Sequence, residues 1–288
     1  MLIKSYAKIN LVLNVTGKRE DGMHTLDMVM LPLELHDSLL FSNLKGRKDS
    51  FVTFEDFSIG GVDNNLVTRA LHILENEAKL DTTYRVLINK CIPISAGLGG
   101  GSSNCAATLT GVNKAANLGL SDEKLAEMGL KLGSDVPFFI KSVPARVSGI
   151  GDVVEPIEIK NDYWVLLIKP KEGLSTEEIY KACDNFELKT YDVDAVIKAL
   201  KEGDDDLLAA NIGNSLEDVS VSKLPKVKII KDELKDYGFK IAMMSGSGSC
   251  VFAMTTDKKF AKKAFSHFFK IKTDCEVEIT RVRKGGNK

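Results

Sequence analysis

Two glycine- and serine-rich segments, one aspartate and one lysine carry most of the chemical signal in this chain. The first segment is Pro93-Ile94-Ser95-Ala96-Gly97-Leu98-Gly99-Gly100-Gly101-Ser102-Ser103-Asn104, set between a strand pattern and an alanine-rich helical pattern. Glycine adopts positive φ freely and places no Cβ in the way of a ligand. Backbone N–H groups of such a loop can converge on an anion at the positive end of the next helix, with no basic side chain required. The segment is not a Walker A loop, because no Gly-Lys-Ser/Thr follows at the required spacing. It is not a dinucleotide fingerprint either, since no GxGxxG with an acidic residue after the next strand is present. A turn that only lets helix and strand pack is the competing reading. The second segment, Met244-Ser245-Gly246-Ser247-Gly248-Ser249-Cys250, separates two β-like stretches and, taken alone, also suits a plain hairpin turn.

In Gly133-Ser134-Asp135-Val136-Pro137-Phe138-Phe139, Asp135 follows a helix end and precedes an apolar run. A carboxylate there is either a general base or a turn residue bonded to its own backbone. In Ser5-Tyr6-Ala7-Lys8-Ile9-Asn10-Leu11, period two places Lys8 and Asn10 on one strand face and Ala7, Ile9 and Leu11 on the other. Lys8 is then either a lysine on a solvated face or a cation held at a site.

These residues need elements to position them. Residues 2–15 and about 26–41 read as strands joined through a turn at Glu20-Asp21-Gly22. Asp63-Asn64-Asn65 opens a helix to about Lys79, and Tyr84–Lys90 is a strand leading into the glycine loop. The helix after that loop runs to about Asn117 and closes at Gly119, and Ser121 caps another that ends at Gly133. Strands at 143–149 and 163–169 follow, and Ser175 with Glu178 forms a capping box for a helix carrying Tyr180. Helices at 192–202, 223–236 and 257–269 and strands at 239–244, 250–255 and 274–282 complete an α+β chain. The join between two closely packed domains falls near 155–162.

The 288 residues are 44% hydrophobic and 27% charged, which excludes wholesale disorder, collagen and coiled coil. A net charge of −1 leaves no global basic field for nucleic acid or an anionic membrane. Apolar runs such as 165–168 fall far short of the ~20 residues that cross a bilayer. The N-terminus lacks the pattern of a secretion signal, so the expected location is cytoplasmic. Five scattered cysteines without CxxC, and four histidines without HxxxH, argue against a disulfide framework or a cysteine-based zinc site.

In this order, the four segments resemble the GHMP kinase superfamily, named for galactokinase, homoserine kinase, mevalonate kinase and phosphomevalonate kinase. PISAGLGGGSSN is similar to its phosphate loop and MSGSGSCVF to its third motif. AKINLVLNVTGKREDGMHTLDMV and LGSDVPFF narrow the likeness to the branch that phosphorylates a cytidine-diphosphate-linked polyol, and the motifs span positions 7 to 252. The resemblance implies a two-domain fold, 1–157 and 158–288, with the active site in the cleft between them. The first half would resemble the second domain of ribosomal protein S5, and the second would be ferredoxin-like. It implies ATP and Mg²⁺ as cofactors, Asp135 as base and Lys8 as its electrostatic partner. Asn10 would lie near the reacting hydroxyl, with His24 and Tyr180 at the cytosine. Asn65, Pro93, Gly97, Leu98, Gly99, Gly100, Gly101, Ser102, Ser103, Gly246, Ser247 and Gly248 would hold the nucleotide; no metal ligand is assigned. The expected partners are ATP and the polyol, without nucleic acid or membrane, in a monomer or weak homodimer. Two positions depart from the family pattern: Met23 stands where an aromatic is frequent, and Cys105 where alanine is. Another small-alcohol kinase of the superfamily, a non-catalytic nucleotide-binding module and an RNA-binding protein are the rival readings. A binding module would have no need for both Lys8 and Asp135, and the net charge of −1 opposes RNA.

Overall fold

The structure is a computed structural model that describes residues 1–44, 49–56 and 65–285. Asp63 and Asn64, expected at the opening of the first helix, lie outside those residues. The first half contains strands β1 (Leu2–Lys18), β2 (His24–Leu44), β3 (Phe51–Phe54), β4 (Thr83–Asn89), β5 (Ala145–Gly149) and β6 (Val153–Pro156). Its helices are α1 (Leu66–Glu77), α2 (Gly100–Ala115), α3 (Asp122–Leu130) and α4 (Val136–Lys141). The second half contributes β7 (Trp164–Pro170), β8 (Gly213–Asn214), β9 (Ile241–Met244), β10 (Val251–Thr255) and β11 (Cys275–Arg281). Between these run α5 (Thr176–Cys183), α6 (Val193–Glu202), α7 (Asp205–Asn211), α8 (Glu217–Lys223), α9 (Lys226–Tyr237) and α10 (Lys258–Ile271).

The first sheet is ordered β3-β4-β2-β1-β8, with β5 pairing to β2 and β6 to β5. Its spine is the long hairpin of β1 and β2, from Leu2↔Leu40 to Lys18↔His24, interrupted by register shifts between Tyr6 and Lys8 and between Asn10 and Val12. Such bulges re-aim side chains, and these two bracket Lys8 and Asn10. Ala7, Ile9 and Leu11 pack in a core shared with Val165, Leu167 and Phe252 of the second half. The opposite strand face carries Lys8 and Asn10. That alternation is the one the sequence predicts.

The second sheet is antiparallel, ordered β11-β7-β10-β9. With α9 before β9 and α10 between β10 and β11, this is the split βαβ arrangement of a ferredoxin-like unit. The two halves are stitched directly: β8 runs parallel to β1 at Val12↔Gly213, and Asn14 exchanges hydrogen bonds with the backbone of Tyr191.

Several short elements go beyond the sequence expectation. Helix α4 begins within the apolar run after Asp135, where Pro137 occupies the first turn, a position that spares its missing N–H. Pro156, in the region read as the domain join, ends a strand and pairs with Ala145, an edge position that proline tolerates. Helix α7 is capped by Asp204, which accepts from the N–H groups of Asp206 and Leu207; β3, β8 and α8 are likewise additions.

Candidate active site

A cavity of about 500 Å³ is lined from the first half by Lys8, Asn10, the glycine loop and Asp135, and from the second by Thr176, Tyr180, Gly246 and Ser247. Its floor is main chain. The strand β4 delivers the loop, and Gly97 (φ 72°) turns it against the second glycine segment. A Cβ on Gly97 would lie 2.0 Å from the Ser245 carbonyl oxygen, so only glycine permits this approach. The Ser245 hydroxyl donates to the Gly97 carbonyl at 3.0 Å, and the Cys250 N–H donates to that of Ala96 at 3.3 Å. Asn214 Nδ2 donates to the Gly246 carbonyl at 2.8 Å and Ser220 Oγ to that of Ser247 at 3.1 Å, fixing the second segment from behind. Its backbone is therefore part of a built wall, and a free hairpin turn is excluded.

Helix α2 starts at Gly100 after Gly99, whose φ of 71° is left-handed, and no side chain caps it. A Cβ on Gly99 would meet the Phe139 ring at 2.7 Å. The first N–H groups of a helix have no intrahelical partner, and here the residues that carry them, Gly100, Gly101 and Ser102, line the cavity. The positive helix end thus faces open space suited to an anion.

Lys8 is 3% exposed, which excludes a solvated strand lysine. Its ammonium donates to Asn10 Oδ1 at 2.6 Å and stands 3.7 Å from Asp135 Oδ2. Burial pulls the Lys8 pKa below its ordinary value, while the Asp135 charge opposes that pull. Asp135 precedes α4 but makes no capping bond to it. It is part-exposed at the cavity wall, so its carboxylate is presented to whatever enters.

The rim is built from side chains. His24 opens β2 and Tyr180 sits on α5, whose N-terminus Ser175 caps through the Glu178 N–H. Their rings lie 5.3 Å apart at 39°, one from each half. Burial, and next the Asp135 charge, push the Tyr180 phenol pKa up, so the hydroxyl stays neutral. His24 Nε2 is 2.8 Å from Asp184 Oδ1, and Lys18 pairs with the other carboxylate oxygen.

Of the expected site residues, Lys8, Asn10, Asn65, Pro93, Gly97, Leu98, Gly99, Gly100, Gly101, Ser102, Asp135, Tyr180, Gly246 and Ser247 line the cavity together. His24 stands outside the lining and touches it through Tyr180. Ser103 is buried within the first turn of α2, where its hydroxyl accepts from Ser5, and Gly248 also lies off the lining. Asn65 lines the cavity while its Oδ1 caps α1 through the N–H groups of Val67 and Thr68. The sequence did not flag Lys90 or Asp37. Asp37, fully buried, accepts from the N–H groups of Cys91 and Ile92 at 2.8 Å each and from Lys90 Nζ at 2.5 Å. Lys90 lines the cavity beside Gly100. Their link crosses 53 positions, so no local pattern announces it.

Comparison with known proteins converges on one family. Residues 65–142 match the GHMP kinases N terminal domain and residues 196–271 the GHMP kinases C terminal domain. A relative from Alkaliphilus oremlandii, named 4-diphosphocytidyl-2-C-methyl-D-erythritol kinase, is 38% identical over 270 residues, covering 92% of this chain and 91% of its own. A crystal structure of a 4-(cytidine 5'-diphospho)-2C-methyl-D-erythritol kinase superposes with a TM-score of 0.80 at 27% identity, covering 100% of both chains. The L. major mevalonate kinase structure, at 15% identity and a TM-score of 0.76 over 99% of this chain and 96% of that one, shares the fold. The full-length likeness and the matches in both halves place this chain in the GHMP kinase family.

Proposed function

We propose that the chain transfers the γ-phosphoryl group of ATP to the 2-hydroxyl of 4-diphosphocytidyl-2-C-methyl-D-erythritol, a step of the non-mevalonate route to isoprenoid precursors. The observation that carries this reading is the Lys8–Asp135 pair standing in one cavity with an uncapped, glycine-built helix end. The names of the full-length relatives supply the acceptor.

Phosphoryl transfer asks for phosphate positioning, charge neutralisation and a proton acceptor. The N–H groups at the start of α2 hold the phosphates, helped by the positive helix end. Among the described residues the lining offers one carboxylate, Asp135, so Mg²⁺ fits as an ion held mainly by phosphate oxygens and water. When bound, it supplies neutralisation of the phosphate charge. Asp135 accepts the proton of the acceptor hydroxyl as the bond from that oxygen to phosphorus forms and the bond to the ADP oxygen breaks. Lys8 pairs with Asp135 and offsets the charge developing on the alkoxide. Proton transfer falls late, when bonding to phosphorus has made the alcohol acidic. Asn10 orients the Lys8 ammonium. His24 and Tyr180, contributed by residues 1–157 and 158–288 respectively, meet the cytosine. The setting we infer is cytoplasmic; no helix among the described residues is long and apolar enough to cross a membrane.

The test is ADP release by the purified chain with ATP, Mg²⁺ and a single acceptor. Stoichiometric ADP with the cytidyl polyol, and none with mevalonate or homoserine, is the expected result. Turnover of mevalonate or homoserine in its place would reassign the acceptor, and no turnover of any alcohol would leave a nucleotide-binding module.

A further inference from the structure

We propose that Asp184, held by Lys18, fixes the tautomer of His24 and so makes this kinase choose cytosine over uracil, an inference that rests on the reading above that His24 meets the base. His24 Nε2 has two neighbours. Asp184 Oδ1 lies at 2.8 Å and Cys183 Sγ at 3.8 Å. Both present lone pairs. The Cys183 thiol proton is committed to the Tyr180 carbonyl oxygen at 3.1 Å, and the other Asp184 oxygen pairs with the Lys18 ammonium. Lys18, and next His24 itself, hold the Asp184 carboxyl below its ordinary pKa, so Asp184 has no proton to donate. A neutral imidazole facing two acceptors carries its proton on the nitrogen that faces them. Nε2 is then the donor, and Nδ1 keeps its lone pair.

That assignment has a consequence for base choice. Cytosine presents an amine at C4, and uracil presents a carbonyl oxygen at the same place. An Nδ1 lone pair accepts from the amine and repels the carbonyl. With the opposite tautomer the preference would invert. The ring is also held in place: its side chain is only 10% exposed and packs on Tyr180, which lines the cavity. Asp184 sits at the end of α5, while His24 starts β2, so the bond forms only when the two halves are assembled. By atom type, His24, Cys183 and Asp184 could also hold a cation. The committed thiol proton and the Lys18 ammonium already beside Asp184 fit a hydrogen-bond relay better. Asp184 is in this reading a positioning residue that acts on the substrate only through His24.

The tautomer is read directly by nitrogen-15 NMR of the imidazoles in the full-length chain without substrate, at pH about 8, above the ordinary histidine range near 6.5. The expected spectrum shows Nε2–H for His24, and Asp184→Ala exchanges between both forms. Kinetics supply the second readout. The wild type should favour the cytidine-linked acceptor over its uridine-linked counterpart about 10- to 100-fold in kcat/KM. Asp184→Ala should bring that ratio within about threefold and leave the KM for ATP in place. Lys18→Gln, which keeps Asp184, should fall between. A wild-type Nδ1–H spectrum overturns the assignment whatever the kinetics. A fixed Nε2–H with unchanged discrimination in Asp184→Ala overturns the role in base choice. If neither acceptor is phosphorylated by the wild type, the proposed function has failed, and the spectrum alone still decides the tautomer.

Discussion

The two ends of the cavity are made differently. The end proposed for the nucleotide is backbone: glycines at 97, 99, 100 and 101, an uncapped helix start, and two loops tied by bonds such as Ser245 Oγ to the Gly97 carbonyl. The end proposed for the acceptor is side chain: Lys8, Asn10, Asp135, Tyr180 and His24, gathered from β1, β2, α5 and the residue before α4. A backbone cradle recognises what all nucleoside triphosphates share. A side-chain rim can change one residue at a time, and so can change acceptor while the cradle stays.

The strongest way to sharpen the contrast is to disable the acceptor end without touching the cradle. Asp135→Asn keeps the shape and removes the proton acceptor, so kcat should fall by about 10²- to 10⁴-fold. Calorimetric ATP affinity should stay within about threefold. If both change together, the two ends are not separable. The reciprocal change is Gly97→Ala. Its methyl would meet the Ser245 carbonyl oxygen at 2.0 Å on a left-handed backbone. Strain of about 1–3 kcal/mol at such a position predicts a loss of ATP affinity of about 5- to 150-fold. The KM for the polyol should move little. Unchanged ATP binding in a folded Gly97→Ala protein would remove this loop from the nucleotide site.

A smaller effect belongs to the rim. Stacking of a base on an aromatic ring is worth about 1–3 kcal/mol where measured in nucleic-acid complexes. In the proposed site the His24–Tyr180 ring pair would supply that surface. Tyr180→Ala should therefore raise the KM for the cytidyl polyol about tenfold and leave the KM for ATP unmoved. A rise in the ATP constant instead would put Tyr180 at the cradle.

The same division explains what the sequence revealed. Backbone sites announce themselves, because their residue types are consecutive: the run at 93–104 and the turn at 244–250 are legible as two loops from residue order alone. Their interlock is not. Asn214, Ser220 and Thr176, which hold the second loop, are ordinary polar residues that no local pattern ties to it. Period two places Lys8 and Asn10 on one face, but not the bulges that flank them. Asp37 is fully buried and organises the entry to the glycine loop, yet its partners lie more than 50 positions away. Asp184 is similarly silent, since its link to His24 crosses 160 positions. Short elements escape notice where packing overrides pattern, as in the β8 pair that closes the edge of the first sheet.

The mildest test lies where the two ends meet, at Lys8. In the proposed mechanism its ammonium is charged, to offset the alkoxide and the transferring phosphoryl group. Burial favours the uncharged form and sets its pKa below 10.5, with Asp135 pulling the other way. As pH rises, Lys8 therefore loses its proton before an exposed lysine would, so kcat should decline on an alkaline limb whose midpoint lies below 10.5. The decline approaches tenfold per pH unit beyond that midpoint. Lys8→Arg keeps the charge to far higher pH but replaces a compact ammonium with a planar fork. In a site 3% exposed and 2.6 Å from Asn10, that fork will lower the plateau. The limb, however, should move upward out of the accessible range. A KM for ATP that stays flat across the same interval would assign the limb to the chemical step and not to the cradle. If Lys8→Arg retains the wild-type midpoint, the titrating group is some other residue, and Lys8 acts on the acceptor by geometry alone.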